Sequence, residues 1–208
     1  MNISATDALR RLQEGNRRFV ADARTLDVGA SRTRREALAG GQAPFAIVLG
    51  CSDSRVPAEV VFDQGLGDLF VIRVAGNIVA PSQVGSVEFA AARFGARLVV
   101  VLGHTQCGAV QAALEDASQP GAAGSRNIQS IVDRIRPSID TVLAVAPAGD
   151  PARVYAQAIR ANVRASADHL RHGSPLLEQL IQSNGLLVVG AEYSLETGEV
   201  DFFDGVRS

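Results

Sequence analysis

Apolar runs of five or six residues alternate with amphipathic stretches along the chain, and this alternation predicts a mainly parallel α/β sheet. Four runs are almost continuously apolar, as strands covered on both faces should be, and a short fifth run follows a turn at 196–199. The predicted strands lie at 45–49, 69–74, 98–102, 186–191 and 200–203. The short connection before the last strand favours a hairpin, so we expect about four parallel strands, flanking helices and an antiparallel C-terminal edge strand.

Helix signals fill the intervals between the strands. Thr6 is the predicted cap of a first amphipathic helix, and Asp150 and Ser174, each followed by proline, predict the starts of two late helices. Pro137 should kink or divide the helix that contains it. The predicted helices lie at 6–22, 33–38, 58–62, 84–94, 107–114, 127–145, 151–172 and 175–182. The helices within 1–40 have no obvious partner there, so they pack either on the core or on a neighbouring subunit.

Composition narrows the class of protein. The length of 208 residues predicts a single domain, 1–208. A net charge of -2 without a basic stripe gives no nucleic-acid signal. Every basic residue is arginine, which excludes a Schiff-base or Walker-type lysine. The chain lacks an apolar run of membrane-span length, its N-terminus lacks a signal core, and two cysteines make no disulfide framework, so a cytoplasmic setting is expected.

Two stretches that each follow an apolar strand carry the candidate chemistry. Residues 50–55 contain Cys51, and residues 103–108 contain His104 and Cys107. Ligands of open α/β sheets bind beyond the carboxyl ends of the strands. Because Cys51 and His104 each lie just past such an end, the two stretches are expected to meet in space.

These three side chains predict one catalytic zinc ion. Zinc prefers thiolate and imidazole ligands, and a catalytic site uses three protein ligands and keeps a fourth position open. The i, i+3 spacing of His104 and Cys107 puts both on one face of a helical first turn, where the start of a helix favours the thiolate. Asp53 is near enough to Cys51 in sequence to reach the fourth position or the water that occupies it.

Other interpretations of the same residues stay open at this point. In one alternative, Cys51 and Cys107 are structural core cysteines, and His104 is a buried histidine whose hydrogen bonds are satisfied. In another, the two cysteines form a redox pair, although the chain has no Cys-x-x-Cys motif. Asp53 and Arg55 would be an ordinary surface ion pair of little energetic value.

The same residues resemble the signature of the β-class carbonic anhydrases. The resemblance extends from about Gln42 through Val110. It rests on the sequences CSDSR at 51–55, HTQCG at 104–108, DLFVIR at 68–73, AGN at 75–77 and GSVEF at 85–89. It implies a bacterial zinc lyase, of the subgroup with a glutamine in the substrate pocket. The implied reaction is the reversible hydration of carbon dioxide to bicarbonate and a proton by zinc-bound hydroxide.

The resemblance also implies roles for residues around the metal. Cys51, His104 and Cys107 match the zinc ligands, with one ion per subunit. Asp53 and Arg55 match a pair in which the arginine holds the carboxylate away from the metal, and the carboxylate accepts a hydrogen bond from the hydroxide. Released from Arg55, Asp53 would become the fourth ligand in a closed state.

A second set of residues matches the substrate pocket of the family. Gly108 matches a glycine whose backbone N–H faces the substrate, and Gln42 matches a glutamine that donates to bicarbonate. Phe70 and Phe89 match aromatic positions that line the pocket. In the family the glutamine and the aromatic residues can come from the neighbouring subunit, so the resemblance implies a homodimer or homotetramer. A regulatory bicarbonate site of a second subgroup uses a tryptophan, which this chain lacks.

Two rival functions remain on the sequence alone. A hydrolase on the same scaffold would act on CS2 or COS, which are linear like CO2, and pocket shape would decide between the substrates. A non-catalytic zinc- or bicarbonate-binding protein would use the same ligands without turnover, although a purely structural site needs no open position.

Overall fold

The computed structural model describes residues 3–24, 32–121, 124–145 and 150–206. Five strands form one sheet in the order β2-β1-β3-β4-β5. The strands are β1 (Ala46–Gly50), β2 (Leu69–Arg73), β3 (Leu98–His104), β4 (Leu187–Tyr193) and β5 (Val200–Asp204). The first four are parallel to their neighbours, and β5 pairs antiparallel with β4. The predicted fold class is therefore confirmed, including the antiparallel C-terminal edge strand.

Eight helices and one 3₁₀ turn in the described part of the chain surround this sheet. They are α1 (Ala5–Val20), α2 (Arg32–Leu38), α3 (Ala58–Val61), the 3₁₀ turn (Ala75–Asn77), α4 (Pro81–Arg93), α5 (Gly108–Ser118), α6 (Arg126–Val145), α7 (Pro151–His172) and α8 (Pro175–Ser183). None of the described helices is both long and apolar enough to cross a membrane.

Three buried apolar clusters hold these layers together. On one face of the sheet, side chains of α1 and α3, such as Leu12 and Val61, pack on β1 and β3. On the other face, α4, α7 and α8 cover the same strands. The third cluster lies under α5, α6 and α7 and includes Cys51 and Cys107. Both predicted chemical stretches therefore place their cysteines in a packed interior, whereas Arg55 and Gly108 at their ends are exposed.

The N-terminal helices behave differently from each other. Ala8 and Leu12 of α1 are fully buried in the chain's own core, so α1 packs on its own subunit. Helix α2 buries none of its residues, although Arg34 donates to the carbonyl of Leu66 and pairs with Asp68. Packing on a neighbouring subunit stays a prediction for α2.

Several predicted element boundaries were wrong, each for a local reason. Ser4, not Thr6, caps α1, because its side chain accepts the backbone N–H of Asp7 at 3.1 Å. Helix α4 begins at Pro81 rather than at residue 84, because proline at a first helical position needs no hydrogen-bond partner. Pro137 does not divide α6, which continues through it while Ile135 and other residues stay buried against the core. The predicted division is therefore wrong, and the alternative, a kink at Pro137, stays a prediction.

Candidate metal centre

The three predicted donors converge at the carboxyl edge of the sheet. Cys51 directly follows β1, His104 is the last residue of β3, and Cys107 is the cap residue before α5. Because β1 and β3 are parallel neighbours, their ends lie side by side. The ligand atoms of the three residues all lie within 4.8 Å of one another, and all three residues are buried. This arrangement is that of a preformed site for one ion.

His104 is oriented as a metal ligand would be. Its Nδ1 lies 2.8 Å from the carbonyl oxygen of Thr105, which accepts hydrogen bonds only, so Nδ1 carries the proton. The lone pair is then on Nε2, which is buried and has no hydrogen-bond partner within the described part of the chain. A buried polar atom without a partner is costly, and a bound metal ion removes that cost. Fixing one ring nitrogen by a carbonyl is how proteins orient a ligating imidazole.

The two thiols titrate as a coupled pair. A hydrogen bond from the Cys107 thiol, helped by the N–H of Gly76 at 3.3 Å, lowers the pKa of Cys51 to about 4 in spite of its burial. The same bond, together with burial and the charge on Cys51, raises the pKa of Cys107, although N–H groups at the start of α5 act in the opposite direction. A metal ion that binds both sulfurs as thiolates must displace any proton that they carry, so metal binding at this site should depend on pH.

This donor set fits zinc. Two thiolates and one imidazole are ligands that zinc favours, and three protein donors leave one of four tetrahedral positions for water or substrate. A closed structural site would need a fourth protein donor, and no further cysteine or histidine belongs to this cluster among the described residues.

Asp53 lies next to the cluster and is held by Arg55. The Nε and Nη2 groups of Arg55 donate to the two carboxylate oxygens at 2.9 and 2.7 Å, and the backbone N–H of Arg55 donates to Oδ1 at 2.9 Å. These bonds hold the pKa of Asp53 well below its usual range. Asp53 Oδ2 is 3.9 Å from Nε2 of His104, so the carboxylate faces the cluster while Arg55 occupies both of its oxygens.

Further side chains hold the ligand loops, and the sequence did not point to them. Arg73 donates to the carbonyls of Cys51 and Asp53 at 3.1 and 2.6 Å. Arg73 is the last residue of β2 and is paired in register with Gly50. Knowing that β2 lies beside β1 would therefore have been enough to place Arg73 near Cys51. Tyr155 of α7 donates to the carbonyl of Cys107 at 2.9 Å, from 48 residues away in the chain, and no sequence pattern marks it.

The predicted substrate residues fall into two groups. Gly108 is the exposed first residue of α5, directly after Cys107, and a Cβ there would meet nothing within 4 Å. Gln42 is exposed on the segment before β1. Phe70 and Phe89 pack on each other at 6.3 Å between ring centroids, with Phe94 beside both, and Phe89 is 54% exposed.

These aromatic rings lie on the β2 side of the sheet. Phe70 is opposite Ile47 and three residues before the end of β2, which places it about 10 Å from the carboxyl edge. It packs with the apolar cluster of α4 and α7, whereas Cys51 and Cys107 belong to the cluster under α5 and α6. A single chain therefore assembles the donors and the Asp53–Arg55 pair in one place and the aromatic residues in another.

The fold and this site agree with comparisons to known proteins. A family model described as carbonic anhydrase matches residues 46–200. The chain is 36% identical over 208 residues to carbonic anhydrase 2 of Mycobacterium tuberculosis, covering 99% of this chain and 96% of that protein. A β-carbonic anhydrase structure from Aspergillus fumigatus superimposes with a TM-score of 0.75 at 25% identity, covering 98% of this chain and 92% of that one.

A tetrameric β-carbonic anhydrase from Sordaria macrospora superimposes with a TM-score of 0.69 at 27% identity, covering 81% of this chain and 85% of that one. The fold and the cysteine–histidine cluster thus define a zinc enzyme. The chain belongs to the β-carbonic anhydrase family. Its activity class is that of a carbonic anhydrase, its substrate is CO2 and its cofactor is zinc. The resemblance inferred from the sequence is confirmed, and membership of the glutamine subgroup stays a prediction.

Proposed function

We propose that this chain catalyses the zinc-dependent, reversible hydration of carbon dioxide to bicarbonate and a proton at the Cys51–His104–Cys107 cluster. One observation carries the proposal: three buried donors lie within 4.8 Å of one another, and one of them has a buried lone pair with no partner in the described structure. When bound, zinc would lower the pKa of a water molecule and so make hydroxide available near neutral pH.

Asp53 and Arg55 act on the reacting water. A carboxylate oxygen has lone pairs left over when it accepts one bond from arginine, so Asp53 can also accept a hydrogen bond from that water and orient it. Arg55 keeps Asp53 in this position and out of the metal's fourth position, because both carboxylate oxygens are engaged with its guanidinium. We thus propose that the pair holds the site in its open state. A closed state would require Arg55 to release the carboxylate of Asp53.

Gly108 is proposed to bind the developing carboxylate of the product. The first N–H groups of a helix have no partner inside the helix, and they carry the positive end of its dipole. Donors that face the place where negative charge develops lower the barrier of the reaction. Since the position of a Cβ on Gly108 is open space, substrate can approach this backbone closely.

Gln42, Phe70 and Phe89 are proposed to complete the pocket across a subunit interface. In one chain, Gln42 is exposed and Phe89 is the most exposed ring of its aromatic cluster. A contiguous exposed apolar surface commonly marks an interaction site. The tetrameric state of the Sordaria macrospora enzymes supports a homodimer or homotetramer here. The free thiols that the site requires favour the reducing cytoplasm as its location.

Replacing His104 tests the proposal. The wild-type protein is expected to contain one zinc per chain and to hydrate CO2 in a stopped-flow assay, whereas His104→Ala should lose the zinc and fall below detectable hydration. His172→Ala is the matched control, because it removes an exposed histidine at the end of α7. Bound zinc without hydration in the wild-type protein would contradict the proposed activity and would favour a binding role.

A further inference from the structure

One face of α7 carries three hydrogen-bond donors that act on the loops of the metal centre. Tyr155, Asn162 and Ser166 are seven and four residues apart, which places them within about 40° of one another around the helix axis. Their side chains donate, in that order, to the backbone carbonyls of Cys107, Gly76 and Asn77 at 2.9, 2.8 and 3.0 Å. The helix therefore contacts both the loop of one donor and the 3₁₀ turn beside another.

Helix α7 reaches these loops because two glycines let it lie close to the sheet. A Cβ on Gly103 would be 2.5 Å from Cγ2 of Val163, and a Cβ on Gly190 would be 2.9 Å from its Cγ1. Side chains at either position would push α7 away from β3 and β4. Since Gly103 directly precedes His104, the close approach occurs next to the metal cluster and brings Asn162 within reach of the 3₁₀ turn.

The 3₁₀ turn also contacts one of the three donor residues, Cys51. The backbone N–H of Gly76 donates to Sγ of Cys51 at 3.3 Å, while the carbonyl of the same residue accepts the Asn162 amide. Gly76 has a φ of 70°, and a Cβ there would be 2.7 Å from Cδ1 of Ile135, so only glycine fits. Asn162 is 2% exposed. Its side-chain amide is therefore a buried link between α7 and the 3₁₀ turn that contacts Cys51.

We propose that Asn162 is a positioning residue for the metal centre: it fixes the carbonyl of Gly76 and thereby holds the Gly76 N–H on the sulfur of Cys51. Groups that hydrogen-bond to a ligand atom or to its loop orient that ligand and change its electron donation to the metal. Ser166 assists by fixing the next carbonyl of the same turn. This inference rests on the proposed zinc site and adds to it a group that touches neither metal nor substrate.

The test compares Asn162→Ala with Gln157→Ala, which removes an exposed amide from the same helix. Zinc affinity is measured by competition with a chelator, and Co²⁺ substituted for zinc reports the sulfur through its thiolate-to-metal charge-transfer band. Asn162→Ala should weaken zinc binding by about 10-fold or more and shift the band to lower energy, because the sulfur loses its hydrogen bond. Gln157→Ala should match the wild-type protein in both measurements.

A purely structural role for Asn162 would give a different result. It would lower the melting temperature while leaving zinc affinity and band position as in the wild-type protein, and that result would overturn the inference. If Asn162→Ala does not fold, Ser166→Ala decides, with smaller changes expected in the same directions and unchanged values contradicting the inference. A wild-type protein that binds neither Zn²⁺ nor Co²⁺ would overturn the proposed function as well, so the two failures are distinguishable.

Discussion

Residues 45–118 and residues 124–206 contribute to the metal centre in different ways. The first region supplies every donor of the cluster, the Asp53–Arg55 pair and the exposed start of α5. None of the described residues of the second region belongs to the donor cluster. Its helix α7 instead donates hydrogen bonds to backbone carbonyls of the first region.

This difference separates groups that react from groups that hold them. A reacting group must be one of a few chemical types at a fixed position, so it leaves a recognisable pattern in the sequence. A holding group only needs to present an N–H or O–H to a carbonyl, and many residue types on many elements can do so. The second region should therefore affect the geometry and stability of the site more than the chemical step itself.

Arg55→Ala should give the largest change in activity among variants that keep the metal. Without its guanidinium, Asp53 is free to leave the position that orients the reacting water, and misplacement of such a group costs about 100-fold in rate. Zinc content should stay at one per chain, because Arg55 is not a donor. Arg10→Ala is the control, since it breaks another close Arg–Asp pair at an exposed site. Near wild-type hydration by Arg55→Ala would contradict the role given to the pair.

Removal of zinc should lower the thermal stability of the protein, which is the next largest expected effect. A ligand that binds only the folded state stabilises it by about 4 kcal/mol when present at 1,000 times its dissociation constant. For a chain of this size, that corresponds to a fall in melting temperature of roughly 8–16 °C after chelation. Calorimetry with and without zinc measures the shift, and His104→Ala should show none. An equal shift in His104→Ala would place the stabilising zinc at some other site.

Tyr155→Phe should give the smallest effect and bears most directly on the comparison between the two regions. The variant keeps the ring and removes the hydroxyl that donates to the carbonyl of Cys107, a loss of about 1 kcal/mol of folding free energy. Turnover should fall by less than about tenfold, because a loss of about 1 kcal/mol changes a rate by less than that factor. A loss as large as that of Arg55→Ala would place Tyr155 among the groups that react rather than among those that hold them.

The architecture of the sheet could be predicted because its strands are short, apolar and separated by clear turn and cap residues. Asp150–Pro151 and Gly173 marked the ends of α7 correctly. Local competition between caps could not be resolved, so Ser4 was missed as the cap of α1. Division of α6 at Pro137 was also wrongly expected, because burial of residues on either side of it keeps α6 continuous against its neighbours.

The donors of the candidate site could be predicted for a topological reason. Cys51 and His104 follow parallel strands, and neighbouring strand ends share one edge of a sheet. The hydrogen bonds of Asn162 and Tyr155 could not be predicted, because they depend on how closely α7 approaches loops far away in the sequence. Phe89 packs with Phe70 and Phe94 within this chain, and its place in the substrate pocket stays a prediction.

The most direct test of zinc-dependent CO2 hydration is a titration of the zinc-free protein with Zn²⁺ while hydration is followed by stopped flow. We expect no hydration at zero zinc, a linear rise to one zinc per chain and no further rise beyond that point. Full activity without zinc, or one bound zinc per chain with no hydration of CO2, would contradict the claim that Cys51, His104 and Cys107 form the reacting metal centre.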